Sequence, residues 1–171
     1  MSAVKQDTKR IFWKKGMCSQ TFFYIINREF GNNDEIQERA SDPLVGGIMQ
    51  LGYQCGLLFG SALAVGKESY RRYKDRDQAI TMAILASKNV SDAFKESAGS
   101  VNCREITDTD FSKKLQFARY MVFKARACFN LADLWTHDAI RSAKEGLALP
   151  SPDLKDRPLS CASEVAKKMG E

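Results

Sequence analysis

The stretch Met121-Val122-Phe123-Lys124-Ala125-Arg126-Ala127-Cys128-Phe129-Asn130-Leu131-Ala132-Asp133-Leu134-Trp135-Thr136-His137-Asp138-Ala139 decides the fold class. Within it Met121, Ala125, Cys128, Ala132, Trp135 and Ala139 recur at alternating spacings of four and three, the seam of a helix packed in a bundle. No proline interrupts the chain between Leu44 and Leu149, and Ala, Leu, Lys and Glu are abundant there, so helix is the favoured state throughout. The seam predicts one long final helix over about 110–144, capped by Asp108 or Thr109 and ended by Gly146.

Working outward from that helix, Asp77 is expected to cap a preceding helix that runs to Ala98 and closes at Gly99, with Ile80, Ala83, Ile84 and Phe94 on its buried side. Near the amino terminus, Cys18, Phe22, Ile26 and Phe30 recur every four residues and predict a first helix over 17–30 stopped by Gly31. Asp34 with Gln37 three residues on resembles a capping box for a short second helix ending before Pro43. The glycine-bearing run 44–56 reads as a loop leading into a helix over 54–74, on which Gly56, Gly60 and Ala64 share one face. Small residues in that pattern let another backbone approach closely. Residues 100–107, with Cys103, read as a connector. No hairpin signal or βαβ alternation occurs. The expectation is an all-α fold: a single-domain helical bundle of about five main helices with a short C-terminal helix. Residues 1–149 form the cysteine-bearing helical domain. Residues 150–171, with three of the four prolines, form a tether and a last short helix carrying Cys161.

Length and composition bound the rest. A chain of 171 residues, 44% hydrophobic and 27% charged, suits one globular domain with a respectable core. The longest apolar run, 56–65, is roughly half of what a membrane span needs, so no membrane association is expected. Residues 1–16 lack the apolar stretch of a secretory signal, which makes a cytoplasmic location the expectation. The net charge of +5 permits an acidic partner. Its densest cluster, Lys67, Arg71, Arg72, Lys74 and Arg76, is broken by Glu68 and Asp75 and reads as a solvated helix end. No basic patch interleaved with aromatics speaks for nucleic acid. Ser-His-Asp order, phosphate-cradling loop and dinucleotide fingerprint are all missing. His137, the only histidine, lies nine residues from Cys128, and at about 100° per residue the two face opposite sides of one helix.

Five cysteines stand out. In a reducing compartment such a count points to metal or redox chemistry rather than structural disulfides. Cys18, Cys55, Cys103, Cys128 and Cys161 are never spaced as Cys-x-x-Cys, so any shared site must be assembled by the fold. Cys18 and Cys55 open helices, where amide N–H groups and the helix dipole favour a thiolate. Cys128 sits on the apolar seam, where a buried thiol also serves as a small hydrophobe.

The order of features resembles the C-GCAxxG-C-C family of redox-active proteins, small helical proteins named for four cysteines and a glycine-rich cysteine motif. The pieces are Met17-Cys18-Ser19-Gln20, then Gly46-Gly47 ahead of Cys55-Gly56-Leu57-Leu58-Phe59-Gly60, then Asn102-Cys103-Arg104-Glu105-Ile106-Thr107, then Ala127-Cys128. They span roughly residues 16–145. The chain departs from the pattern at Gln54, where the name leads one to expect glycine, and at Leu57, in place of alanine. The resemblance implies redox activity through Cys18, Cys55, Cys103 and Cys128. One route makes all four the ligands of an iron–sulfur cluster or other metal carrying electrons singly. A second makes a pair such as Cys18 and Cys55 the catalytic thiols of dithiol–disulfide exchange. Two alternatives carry no electrons: a structural zinc site on the same four cysteines, and a metal-free interaction module. The expected partners are an unidentified redox protein and a second copy, paired through the Gly56-Gly60-Ala64 face or the long seam. Cys161 lies outside the family core.

Overall fold

The structure, a computed structural model, describes residues 2–150. In chain order the helices are α1 (Ser2–Lys15), α2 (Cys18–Glu29), α3 (Glu35–Ala40), α4 (Gly56–Arg72), α5 (Arg76–Ala98), α6 (Cys103–Thr107), α7 (Lys114–Arg119) and α8 (Ala125–Leu147). A single 3-10 turn, Asp42–Leu44, follows α3, and a π-helical segment, Tyr120–Lys124, joins α7 to α8. The fold is all-α, and the described residues contain no strand, only an isolated antiparallel bridge between Gln54 and Asn102. No helix among them is long and apolar enough to cross a membrane.

Five helices make the core. α4 lies between α2 and α5, α5 packs on α8, and α1 lies along α8. Phe22, Ile26, Leu58, Val90, Phe94 and Trp135 are fully buried between them, and Phe94 meets Trp135 edge-on at 5.0 Å between ring centres. The small-residue face of α4 is consumed inside the chain. A Cβ built on Gly60 would lie 2.1 Å from the Ser19 carbonyl oxygen and 2.9 Å from the Phe23 nitrogen, so only glycine admits the α2 backbone at this distance.

Local signals worked where a side chain closes a helix end. The Asp34 carboxylate accepts the Gln37 N–H at 3.1 Å and starts α3, and Gly99 ends α5 with φ 76°. Elsewhere the structure corrects the sequence reading. The cap of α5 is Asp75, which accepts from the Gln78 N–H at 2.8 Å, rather than Asp77. The buried stripe of α5 is Ala79, Met82, Ala86, Val90 and Phe94. Ile84, 45% exposed, falls outside it because the stripe is phased on Phe94 and Val90. Residues 2–15, given no helix by the sequence reading, form α1, held by buried Ile11 and Phe12 and by a 2.8 Å hydroxyl pair between Thr8 and Thr136.

The long final helix is not one helix. Asp108 adopts φ 45° and caps nothing downstream; α7 begins at Lys114, and the ladder passes through the π segment before α8. Gly146 lies inside α8 rather than beyond its end, and it is a glycine of close approach, since a Cβ there would meet the Ala86 Cα at 2.7 Å. The seam then divides: Ala132, Trp135 and Ala139 are in the core, whereas Met121 is 56% exposed. The tether, its short helix and Cys161 lie outside the described residues.

Candidate functional site

Three of the four cysteines within the described residues sit at helix starts, and Cys128 lies just past the π segment in the continuous run of α7 into α8. Cys18 is the first residue of α2, Cys55 immediately precedes α4, and Cys103 is the first residue of α6. The expected connector over 100–107 is therefore partly helical, with Cys103 at its start. All four are free thiols, and all four line one cavity of about 620 Å³.

Three pieces of backbone bring them there. The close approach of α4 to α2 sets Cys18 over the start of α4, where a Cβ on Gly56 would lie 2.3 Å from the Cys18 sulfur. Around the bridge, the Cys55 N–H donates to the Val101 carbonyl at 2.7 Å and the Cys103 N–H donates to the Tyr53 carbonyl at 2.6 Å. Cys55 and Cys103 thus flank one short ladder. The π segment is fastened to the end of α6 by Lys124, whose ammonium donates to the Asp108 carbonyl at 2.8 Å and carboxylate at 3.0 Å. Such segments recur at functional sites.

The loop between Leu44 and Cys55 completes the wall. Gly46, Gly47, Ile48, Met49 and Gln50 are consecutive left-handed residues with φ of 63°, 73°, 59°, 49° and 63°. Left-handed backbone at a β-branched residue is a true outlier, and three such non-glycine residues cost on the order of 1–3 kcal/mol each. Gly47 is obligatory in this turn, since a Cβ would stand 2.5 Å from the Tyr53 nitrogen and oxygen. The turn lines the cavity through Val45, Gly46 and Gln50 and offers the Gly46 amide to the Cys18 sulfur.

Burial governs the electrostatics. Desolvation pushes the Cys18 and Cys128 thiols up and the Cys55 thiol well up, and it takes Cys103 to about 12. The helix starts do not yield ready thiolates, as the sequence suggested. The backbone amides of Gly46, Ser19 and Cys18 do pull Cys18 down, but desolvation outweighs them. Charge on each sulfur is also felt by the others: Cys55 by Cys18, Cys103 and Cys128, and Cys103 by Cys18 and Cys128. The four therefore form one electrostatic cluster.

Tyr120, which the sequence did not single out, donates from its phenol to the Cys128 sulfur at 2.9 Å. Burial, then charge on Cys128, pushes that phenol up. Nothing in the sequence announces the π segment that carries it. His137 is exposed and pairs with Asp138 at 3.6 Å, away from the cavity. In the basic cluster Arg71 and Arg72 both donate at 2.7 Å to Glu68, whose side chain is fully buried. That end of α4 is held by an ion triad and is more than a solvated end.

Among curated proteins and solved structures no match was found. Residues 17–137, more than half of the chain and the span that holds all four cavity cysteines, match the family described as "Putative redox-active protein (C_GCAxxG_C_C)". The chain belongs to this C_GCAxxG_C_C family, whose description supports a redox role.

Proposed function

We propose that Cys18, Cys55, Cys103 and Cys128 together ligate one iron–sulfur cluster, or a comparable metal–sulfur centre, that carries electrons. The observation that carries this reading is the gathering of four thiols from four separate elements around a cavity lined by no acidic, basic or histidine side chain. Four thiolates in such a place repel one another and lack water. A cationic core would neutralise them and displace their protons, as metal binding to cysteine does. The donor set is therefore chemically suited to the group.

Among the described residues no three Cys, His, Asp or Glu side chains are grouped tightly enough for a single ion. A metal–sulfur centre would therefore have to draw the four sulfurs closer on binding, and the same holds for a zinc staple, whose sulfurs lie about 2.3 Å from one metal. Thiol–disulfide exchange through Cys18 and Cys55 is disfavoured by the raised thiols, since the thiolate is the nucleophile. When bound, the cluster would supply one-electron chemistry. The protein's own residues would supply four ligands, the Tyr120 and Gly46 hydrogen bonds to two of them, and shelter from water.

The test is iron, acid-labile sulfide and zinc analysis of anaerobically purified protein, with absorption between 300 and 500 nm. Iron and sulfide with visible colour, lost in each single Cys→Ser variant of the four, is the expected result. Zinc without colour, or a metal-free sample whose thiols titrate reversibly as pairs, would overturn it.

A further inference from the structure

The cavity that holds the thiols extends beyond them, and its outer part is built differently. Cys55 and Cys103, each 6% exposed, lie at its floor. Trp13 and Met121, 81% and 56% exposed, line the same cavity at its mouth. Between floor and mouth stand two groups of rings. In the first, Phe129 is stacked on Phe12 at 4.4 Å and tilted to Trp13 at 6.2 Å, with Trp13 reaching the mouth. Phe111, Phe117 and Tyr120 form the second group, with Phe111 edge-on to Tyr120 at 5.0 Å. No ring contact among the described residues joins one group to the other.

Charge is missing from the whole passage. The chain is 27% charged, and another cavity, about 730 Å³, is lined by Asp7, Arg10, Lys14, Arg28 and Arg39 among others. The thiol cavity has no such residue. A centre on the four sulfurs leaves the ring-lined outer part of the cavity to another occupant. At about 620 Å³ the cavity has the size of a small-molecule site, typically about 300–1,000 Å³.

We propose that the passage between the two aromatic groups binds a neutral, mainly apolar, ring-bearing small molecule against the thiol floor. The assignment rests on the proposed function only for what the thiols do; the binding site itself follows from the walls. An anionic ligand would enter an uncharged passage without a partner for its charge, a costly burial. Offset or edge-on ring contacts with the two groups would hold a flat molecule.

The experiment uses the full chain as purified, and again after iron removal, with two fluorescent probes of the same ring system: neutral N-phenyl-1-naphthylamine and anionic 8-anilino-1-naphthalenesulfonate. Saturable binding of the neutral probe, one per chain, is expected, with the anionic probe weaker by about tenfold or more because its charge is unpaired there. Met121→Lys, at an exposed position that folding tolerates, puts a cation at the mouth and is expected to weaken the neutral probe several-fold. Ala125→Trp is expected to fill the passage and abolish binding, with helix content by circular dichroism checking that it folds. Non-saturable binding, equal affinity for the two probes, or unchanged binding in Met121→Lys would overturn the proposal. Iron and sulfide are measured in the same samples. Full iron without probe binding sinks this inference alone, and a saturable probe site in a protein that never holds iron sinks only the cluster.

Discussion

Two glycines of α4, six residues apart, should respond to alanine in opposite directions. At Gly60 the added Cβ would lie 2.1 Å from the Ser19 carbonyl oxygen and 2.9 Å from the Phe23 nitrogen. Both obstacles are backbone, so no rotamer relieves them. Restoring ordinary contact requires α2 and α4 to part by about 1.3 Å. Overpacking of this kind costs about 1–3 kcal/mol, and a backbone clash belongs at the upper end. Helix propensity returns about 1 kcal/mol when glycine becomes alanine. The net loss in Gly60→Ala is then about 2 kcal/mol, or about 4–8 °C in Tm for a chain of this size. At Gly66 a Cβ meets nothing within 4 Å. There only the propensity gain applies, about 0.5–1 kcal/mol, raising Tm by about 1–4 °C. Thermal unfolding followed by circular dichroism at one protein concentration measures both. A Gly60→Ala protein as stable as the parent, or a Gly66→Ala protein that falls with it, would refute the close approach of α2 and α4 on which the position of Cys18 depends.

Gly56→Ala should act on the site more than on the fold: its Cβ would stand 2.3 Å from the Cys18 sulfur, so, on the proposed cluster reading, the variant should purify with much less iron than the parent while its helix content is kept. Tyr120→Phe removes the donor to the Cys128 sulfur; if that bond favours the electron-rich reduced state by about 1 kcal/mol, the potential falls by on the order of 40 mV in a titration, and an unchanged potential would detach Tyr120 from the centre. Asn27 has both side-chain polar atoms buried without partners, so Asn27→Leu should raise Tm, by about 2–4 °C for each kcal/mol of relief. Glu68 has its carboxyl lowered: burial alone would raise it, but the hydrogen bonds from Arg71 and Arg72 outweigh that. Its stabilisation is present above the unfolded value near 4.5 and is lost as pH falls through the lower folded value; the parent's advantage over Glu68→Gln in denaturant melts should therefore close below pH 4.5, and a gap independent of pH would contradict the assignment.

What the sequence made legible follows the range of the physics involved. Asp34, Gly99 and the Ala132–Trp135–Ala139 seam act within a turn or two, and each could be read directly. The face of Gly56, Gly60 and Ala64 was legible as a site of close approach, but not its partner, because a second copy and α2 satisfy the same pattern. Phase errors came where two apolar stripes compete on one helix, as in α5. The π segment was invisible, since it depends on how Lys124 is tied to the end of α6 rather than on any residue preference. The left-handed turn at Ile48, Met49 and Gln50 opposes local preference altogether and is imposed by its surroundings. For the site, the sequence placed Cys18 and Cys55 at helix starts, Cys103 in a connector and Cys128 on a seam, and only the family resemblance grouped the four. Their cavity, their Tyr120 and Gly46 neighbours and their burial all depend on tertiary contacts.

The site sets two effects against each other, and their balance bears on the proposed metal–sulfur centre. The helix starts at Cys18, Cys55 and Cys103 bring partial positive charge to sulfur, and that arrangement alone would make nucleophilic thiolates. Burial works the other way, and here it prevails at all four positions. A protein using these thiols as nucleophiles would gain from a cation or open water beside them, yet the cavity wall provides neither charge nor a basic side chain. A cationic core would change the balance: the thiols would ionise on its binding, the helix starts at Cys18, Cys55 and Cys103 would stabilise the negative charge, and the apolar walls would strengthen every interaction by excluding water. The same core would tie α2, α4, α6 and α8 together, joining elements that contribute cysteines far apart in sequence. Helix ends, burial and an uncharged wall, contradictory for a set of free thiols, are mutually consistent for the ligands of a metal–sulfur centre.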